Sequence, residues 1–204
     1  MIDTVRTLRT TLLCLPAIAF LVGCSKSESP SGTTRAADVN IDVAAVNALV
    51  PADLKSKLEF EKREIVLERG SKTTYTLAGP KGWTQTSKMF GNLEPGTGAG
   101  MFNKLGVGSN CDGACTPKDW EKVSDKVNFQ PLAKGKIVKD EKTKGRRVMI
   151  VEGGSATAVN LIVAWWEDGA SKYWTCTAQL EDDLKAAMPA FEKACQAVGV
   201  SGDD

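Results

Sequence analysis

The 204 residues of this chain include no histidine, which excludes most hydrolase mechanisms and puts the cysteines, carboxylates and aromatic rings first among the residues to weigh. Without an imidazole, neither a Ser-His-Asp nor a Cys-His nucleophile pair can be built, and the commonest nitrogen ligand for a metal is missing. The neighbouring acids Glu167 with Asp168, and Glu181 with Asp182 and Asp183, are where a carboxylate-based hydrolase such as a glycosidase would find its pair. Each group has a structural explanation instead. Glu167-Asp168 runs into Gly169 as a turn, and Glu181 to Asp183 suits the positive end of a helix dipole. No catalytic residue, metal or cofactor is expected.

The cysteines divide by position. Cys111 and Cys115 are separated by three residues where a redox pair has two, and two thiolates are too few to hold a metal. A disulfide between them would clamp the loop that aims the following helix. Cys176 shares a strand face with Trp174, Ala178 and Leu180. Cys195 lies on the helical stripe Leu184, Met188, Phe191, Cys195 and Val198. Four cysteines allow three pairings; the elements that carry them favour Cys111 with Cys115 and Cys176 with Cys195, the latter stapling helix to sheet.

Cys14 and Cys24 belong to a different context. Arg6 and Arg9 precede the apolar run Thr11–Phe20, which is too short to span a bilayer and is interrupted by Pro16. Leu21-Val22-Gly23-Cys24 then resembles a bacterial lipobox. The resemblance implies that residues 1–23 are removed, that Cys24 carries lipid, and that the protein is a lipoprotein of the cell envelope. Ser25 after the cysteine favours the periplasmic leaflet of an outer membrane. Two or three acyl chains would hold the protein on the membrane, at about 0.8 kcal/mol per buried CH₂. Residues 24–38 are polar and rich in Ser, Gly, Thr and Pro, and read as a tether reaching about 20 Å.

Residues 39–204 read as one globular domain. With Arg6, Arg9 and Asp3 gone with the leader, the 26 basic and 25 acidic residues become 24 of each. That balance excludes a basic field for nucleic acid. Val43, Val46, Leu49 and Val50 fall at helical spacing, and Pro51 to Leu54 open another helical turn. Ile65–Leu67 and Thr73–Leu77 are strands joined across Gly70. Trp83 stands just past the Gly79-Pro80-Lys81-Gly82 corner.

Gly91–Gly100 carries glycines at 96, 98 and 100, but no strand leads in, no Gly-Lys-Ser/Thr is present, and Met101-Phe102 follows in place of a helix. It reads as a mobile hairpin loop. Met101–Val107 is a strand. Thr116, Pro117 and Asp119 then cap a helix with Trp120, Val123 and Val127 on its buried stripe.

Lys136–Lys139 and Arg147–Glu152 form a hairpin whose basic cluster, Lys142, Lys144, Arg146 and Arg147, reads as a solvated tip. Ala158–Trp166 and Ser171–Leu180 form the clearest hairpin. Apolar residues on both faces of the first of these strands make it central. A helix follows from Glu181, with Pro189 expected to kink it.

The strand order, the Pro80-Lys81-Gly82-Trp83 corner and the Asp168-Gly169 hairpin before a terminal helix resemble the PsbP-like fold. That family, which includes photosystem II extrinsic subunits and bacterial lipoproteins, implies an α+β architecture: an antiparallel sheet with helices on both faces, an α/β/α sandwich. Its members are mostly accessory and binding proteins with no common catalytic residues. The expected function is a non-catalytic envelope interaction protein that docks on an envelope protein partner. Trp83, Phe90, Met101 and Trp166 are the candidate contact residues. A lipid-anchored module binding a sugar or lipid is the alternative, and a carboxylate hydrolase ranks below both.

Overall fold

Alternation of buried and solvent-facing side chains turns residues 60–80 into a long hairpin. A computed structural model describes residues 39–96, 103–110, 120, 135–153, 158–166, 172–181 and 183–202 of the chain. Strand β1 (Phe60–Arg69) pairs antiparallel with β2 (Ser71–Pro80) over its whole length. The reversal between them is made by Gly70 alone at φ 85°, a left-handed conformation that glycine adopts without penalty. Both strands are longer than the apolar runs Ile65–Leu67 and Thr73–Leu77 suggest. On the other side of β2 lies β10 (Gly199–Gly202), which completes a three-stranded sheet.

The remaining strands build a second antiparallel sheet. They are β3 (Thr84–Ser87), β4 (Phe90–Glu94), β5 (Lys104–Asn110), β6 (Lys136–Lys142), β7 (Arg146–Glu152), β8 (Val159–Trp165) and β9 (Tyr173–Leu180). Their spatial order is β3-β4-β5-β9-β8-β7-β6. Every residue of β8 from Asn160 to Trp165 is buried, as its two-sided apolar pattern requires.

One core joins the two sheets. Leu93, Leu105, Leu161, Val163, Cys176 and Ala178 from the larger sheet meet Tyr75 and Leu77 from the smaller one. Helix α2 (Met188–Gln196) packs in this core, touching β2, β8 and β9. Its Phe191 is fully buried and meets Phe60 edge-to-face with ring centres 5.0 Å apart. Cys195 on the helix is bonded to Cys176 on β9, with Cα atoms 5.3 Å apart. By the loop-closure estimate this bond removes about 3 kcal/mol of unfolded-chain freedom. The short helix α1 (Val43–Ala48), capped by Asp42, reaches the same core through Val46 and contacts α2.

The sandwich with helices on both faces is overturned. Two antiparallel sheets make up most of the described chain, and its only two α-helices, of six and nine residues, share one core. The apolar stripe from Leu184 does bury, but the chain there is a 3₁₀ turn (Lys185–Ala187) before it becomes α-helix. Pro189 falls in the first turn of α2, where its missing N–H would have had no partner anyway, so it starts the helix instead of kinking it.

The start of the expected Gly91–Gly100 loop is likewise corrected: residues 90–94 are β4, with Gly91 paired to Val107. Residues 97–102, 111–119 and 121–134 lie outside the described residues, and with them fall Met101, the Cys111–Cys115 pairing and the helix expected after Thr116.

Candidate functional site

Most large apolar side chains are buried, so the exposed ones are informative. Met89 and Phe90, at the β3–β4 reversal, are 54% and 60% exposed. Sequence spacing alone does not hold them there; two side chains from outside the expected loop do. Arg69, at the end of β1, donates from Nε to the Met89 carbonyl and sets its guanidinium 5.6 Å from the centre of the Phe90 ring. Gln85 accepts from Val66 N–H (3.3 Å) through Oε1, and its Nε2 donates to the carbonyls of Val66 (2.8 Å) and Ser87 (2.9 Å).

A single amide therefore pairs with the free edge of β1 as a strand would, and couples the two sheets at their margins. Glu68 N–H donating to the Lys88 carbonyl (3.0 Å) and the Lys88–Glu68 ion pair (2.8 Å) complete the brace. The result is an exposed methionine and phenylalanine on a pinned reversal, and such pre-organisation lowers the ordering cost of binding.

The same hairpin opens onto the outer face of the seven-stranded sheet. Alternation along β9 sends Trp174, Cys176, Ala178 and Leu180 into the core and leaves Tyr173, Thr175, Thr177 and Gln179 facing outward. Towards β7 and β8 this outer face is apolar. Met149, Val151, Ile162, Ala164 and Tyr173 form a second cluster, closed by Trp120 and flanked by Trp166, whose rings lie 4.1 Å apart. Arg147 is 2% exposed here and grips Asp140 with both Nε (2.8 Å) and Nη2 (3.0 Å). That corrects its placement in a solvated basic tip. Towards β4 and β5 the outer face carries Asn92, Gly106 and Gly108 in register with Thr177 and Thr175.

The three described contact candidates, Trp83, Phe90 and Trp166, stand in different parts of the fold. Phe90 stands at the exposed reversal. Trp83 is 7% exposed against Phe191 in the core. Trp166 is half-buried on the outer face, and Met101 is not among the described residues. Sequence reading missed Arg69 and Gln85, whose roles depend on which strand margins meet, and sequence carries no signal for that. The outward row Thr175, Thr177, Gln179 was available in the alternation of β9.

Several of the described acids form ion pairs with basic side chains, Glu59 with Lys81, Glu61 with Arg63 and Glu192 with Lys139. Among the described residues no three Cys, Asp or Glu side chains gather as a metal site would require. No helix among them is long and apolar enough to cross a membrane. No family model matches the sequence, and no curated protein is significantly similar to it.

Proposed function

We propose that this is a lipid-anchored envelope protein, held through Cys24 at the periplasmic face of an outer membrane, which works without catalysis by docking on an envelope protein through its β3–β4 reversal. The observation that carries this reading is the exposed Met89-Phe90 pair braced by Arg69 and Gln85. Met, aromatic and Arg side chains are the types enriched where proteins meet. The resemblance of Leu21-Val22-Gly23-Cys24 to a lipobox supports the location.

Crosslinking in native membranes, with a photoreactive phenylalanine at position 90, tests it. One abundant protein partner is expected, and its capture should fall at least about tenfold with Met89→Ser, a loss of about 1.4 kcal/mol of binding. Equal capture by the variant, or no partner at all, overturns the reading. Replacing Cys24 by Ser should release the protein from membranes; retention there would remove the anchor from the account.

A further inference from the structure

Five methionines occur in the chain, and the described ones stand in two opposite environments. Met149 in the outer-face cluster and Met188 on α2 are buried, whereas Met89 is 54% exposed at the β3–β4 reversal. Met1 and Met101 lie outside the described residues. Met89 cannot be withdrawn by a small shift of the chain, because both of its backbone groups are held. Its N–H donates to Ser87 Oγ at 3.1 Å, and its carbonyl accepts from Arg69 Nε. A thioether is therefore kept in solvent beside the exposed Phe90 ring.

A thioether needs no deprotonation before it reacts, since its lone pairs are nucleophilic at every pH. Access then decides which methionine is oxidised.

We propose that Met89 is an oxidation site and that its sulfoxide releases the docked partner. A sulfur lone pair attacks one oxygen of hydrogen peroxide, and the S–O bond forms as the O–O bond breaks. The other oxygen leaves as water after taking the proton that the transferred oxygen loses. Sulfur gives up two electrons and the peroxide accepts them. An apolar contact side chain becomes a polar one, whose new oxygen must be desolvated each time the partner docks. That oxygen also offers an acceptor to Arg69, whose guanidinium lies over the neighbouring Phe90 ring and donates through Nε. A methionine sulfoxide reductase restores the thioether, the oxygen leaving as water while two thiols become a disulfide. The release rests on the reading of this reversal as a docking surface; the selectivity of the oxidation does not.

Two measurements on the full-length protein test it. In detergent micelles with hydrogen peroxide, peptide mass spectrometry should find one oxygen gained at Met89 at least about tenfold faster than at Met149 or Met188. In native membranes, with the photoreactive phenylalanine at position 90, the same treatment should lower partner capture at least about tenfold. Met89→Gln, which sets a permanent polar acceptor there, should lower capture as much without any oxidant. Capture by Met89→Leu, whatever its starting level, should not respond to peroxide. Oxidation of Met149 or Met188 as fast as Met89 overturns the site. Capture that survives full oxidation of Met89, undiminished capture by Met89→Gln, or a fall with peroxide in Met89→Leu as large as in the natural chain overturns the release. If no partner is captured even before oxidation, the docking reading and the release fall together, and the mass spectrometry still decides whether Met89 is the oxidation site.

Discussion

The two faces of the seven-stranded sheet share every backbone hydrogen bond and differ only in which alternate residues they receive. The inner face is a continuous apolar layer from Leu93 on β4 through Leu105, Ala178 and Leu161 to Val148 on β7, sealed by α2. The outer face changes character half-way across. It is apolar under Trp120 on β7 and β8, and becomes glycine, threonine and asparagine on β4, β5 and β9. Burial of one face suffices to hold an antiparallel sheet, and this frees the other for recognition.

The sharpest way to break that contrast is to truncate one residue on each face of the same part of the sheet. Leu161→Ala, on the inner face, should cost about 2–5 kcal/mol in chemical denaturation, as a fully buried leucine whose neighbours cannot close the cavity. Thr177→Ala, on the outer face, should stay within about 0.5 kcal/mol. Comparable losses would mean that the polar strip is a structural layer and not a free surface.

Gln85→Ala tests the seam between the sheets. It removes the amide that serves the Val66 N–H and carbonyl, and should cost about 1–2 kcal/mol. It should also raise hydrogen exchange at Val66 and Met89 while leaving β8 protected.

The smallest effect concerns the other end of the sheet, where Lys139 on β6 reaches α2. Its hydrogen bond to Glu192 raises its pKa above the ordinary lysine value of 10.5, against a desolvation that pulls the other way. The group loses its charge later when folded than when unfolded. Its contribution is therefore complete below pH 10.5 and disappears as pH climbs through the raised value. Glu192→Gln should cost about 0.5 kcal/mol at neutral pH and nothing measurable at strongly alkaline pH.

Local patterns were readable wherever they repeat. The β1–β2 hairpin, the two-sided burial of β8, the β8–β9 pairing and the Cys176–Cys195 bond all follow from alternation or from a helical stripe. Features set by distant contacts were not. Strands β3 and β10 have four residues each, too few for a period to show, and β10 exists because β2 offers it an edge. The glycines of residues 91–100 drew attention from β4, whose ladder with β5 forms despite Gly91. The two-sided helical cover inferred from the PsbP-like order failed because the helical stripe after Leu184 is short and lies between the sheets. Of the candidate site, Phe90 was visible by type; Arg69 and Gln85, which fix it, became visible only once β1 and β3 were side by side.

The position of β10 imposes a timetable on assembly. Its partner β2 is made more than a hundred residues earlier, and Cys195 must find a sulfur nineteen residues behind it. As the chain emerges amino terminus first, β2 waits with one edge unsatisfied, and the space that α2 will occupy stays wet. The domain cannot close on either sheet until residues 188–202 have been delivered. Nearly the whole chain must therefore be made before the domain can lock, once its last helix and strand arrive.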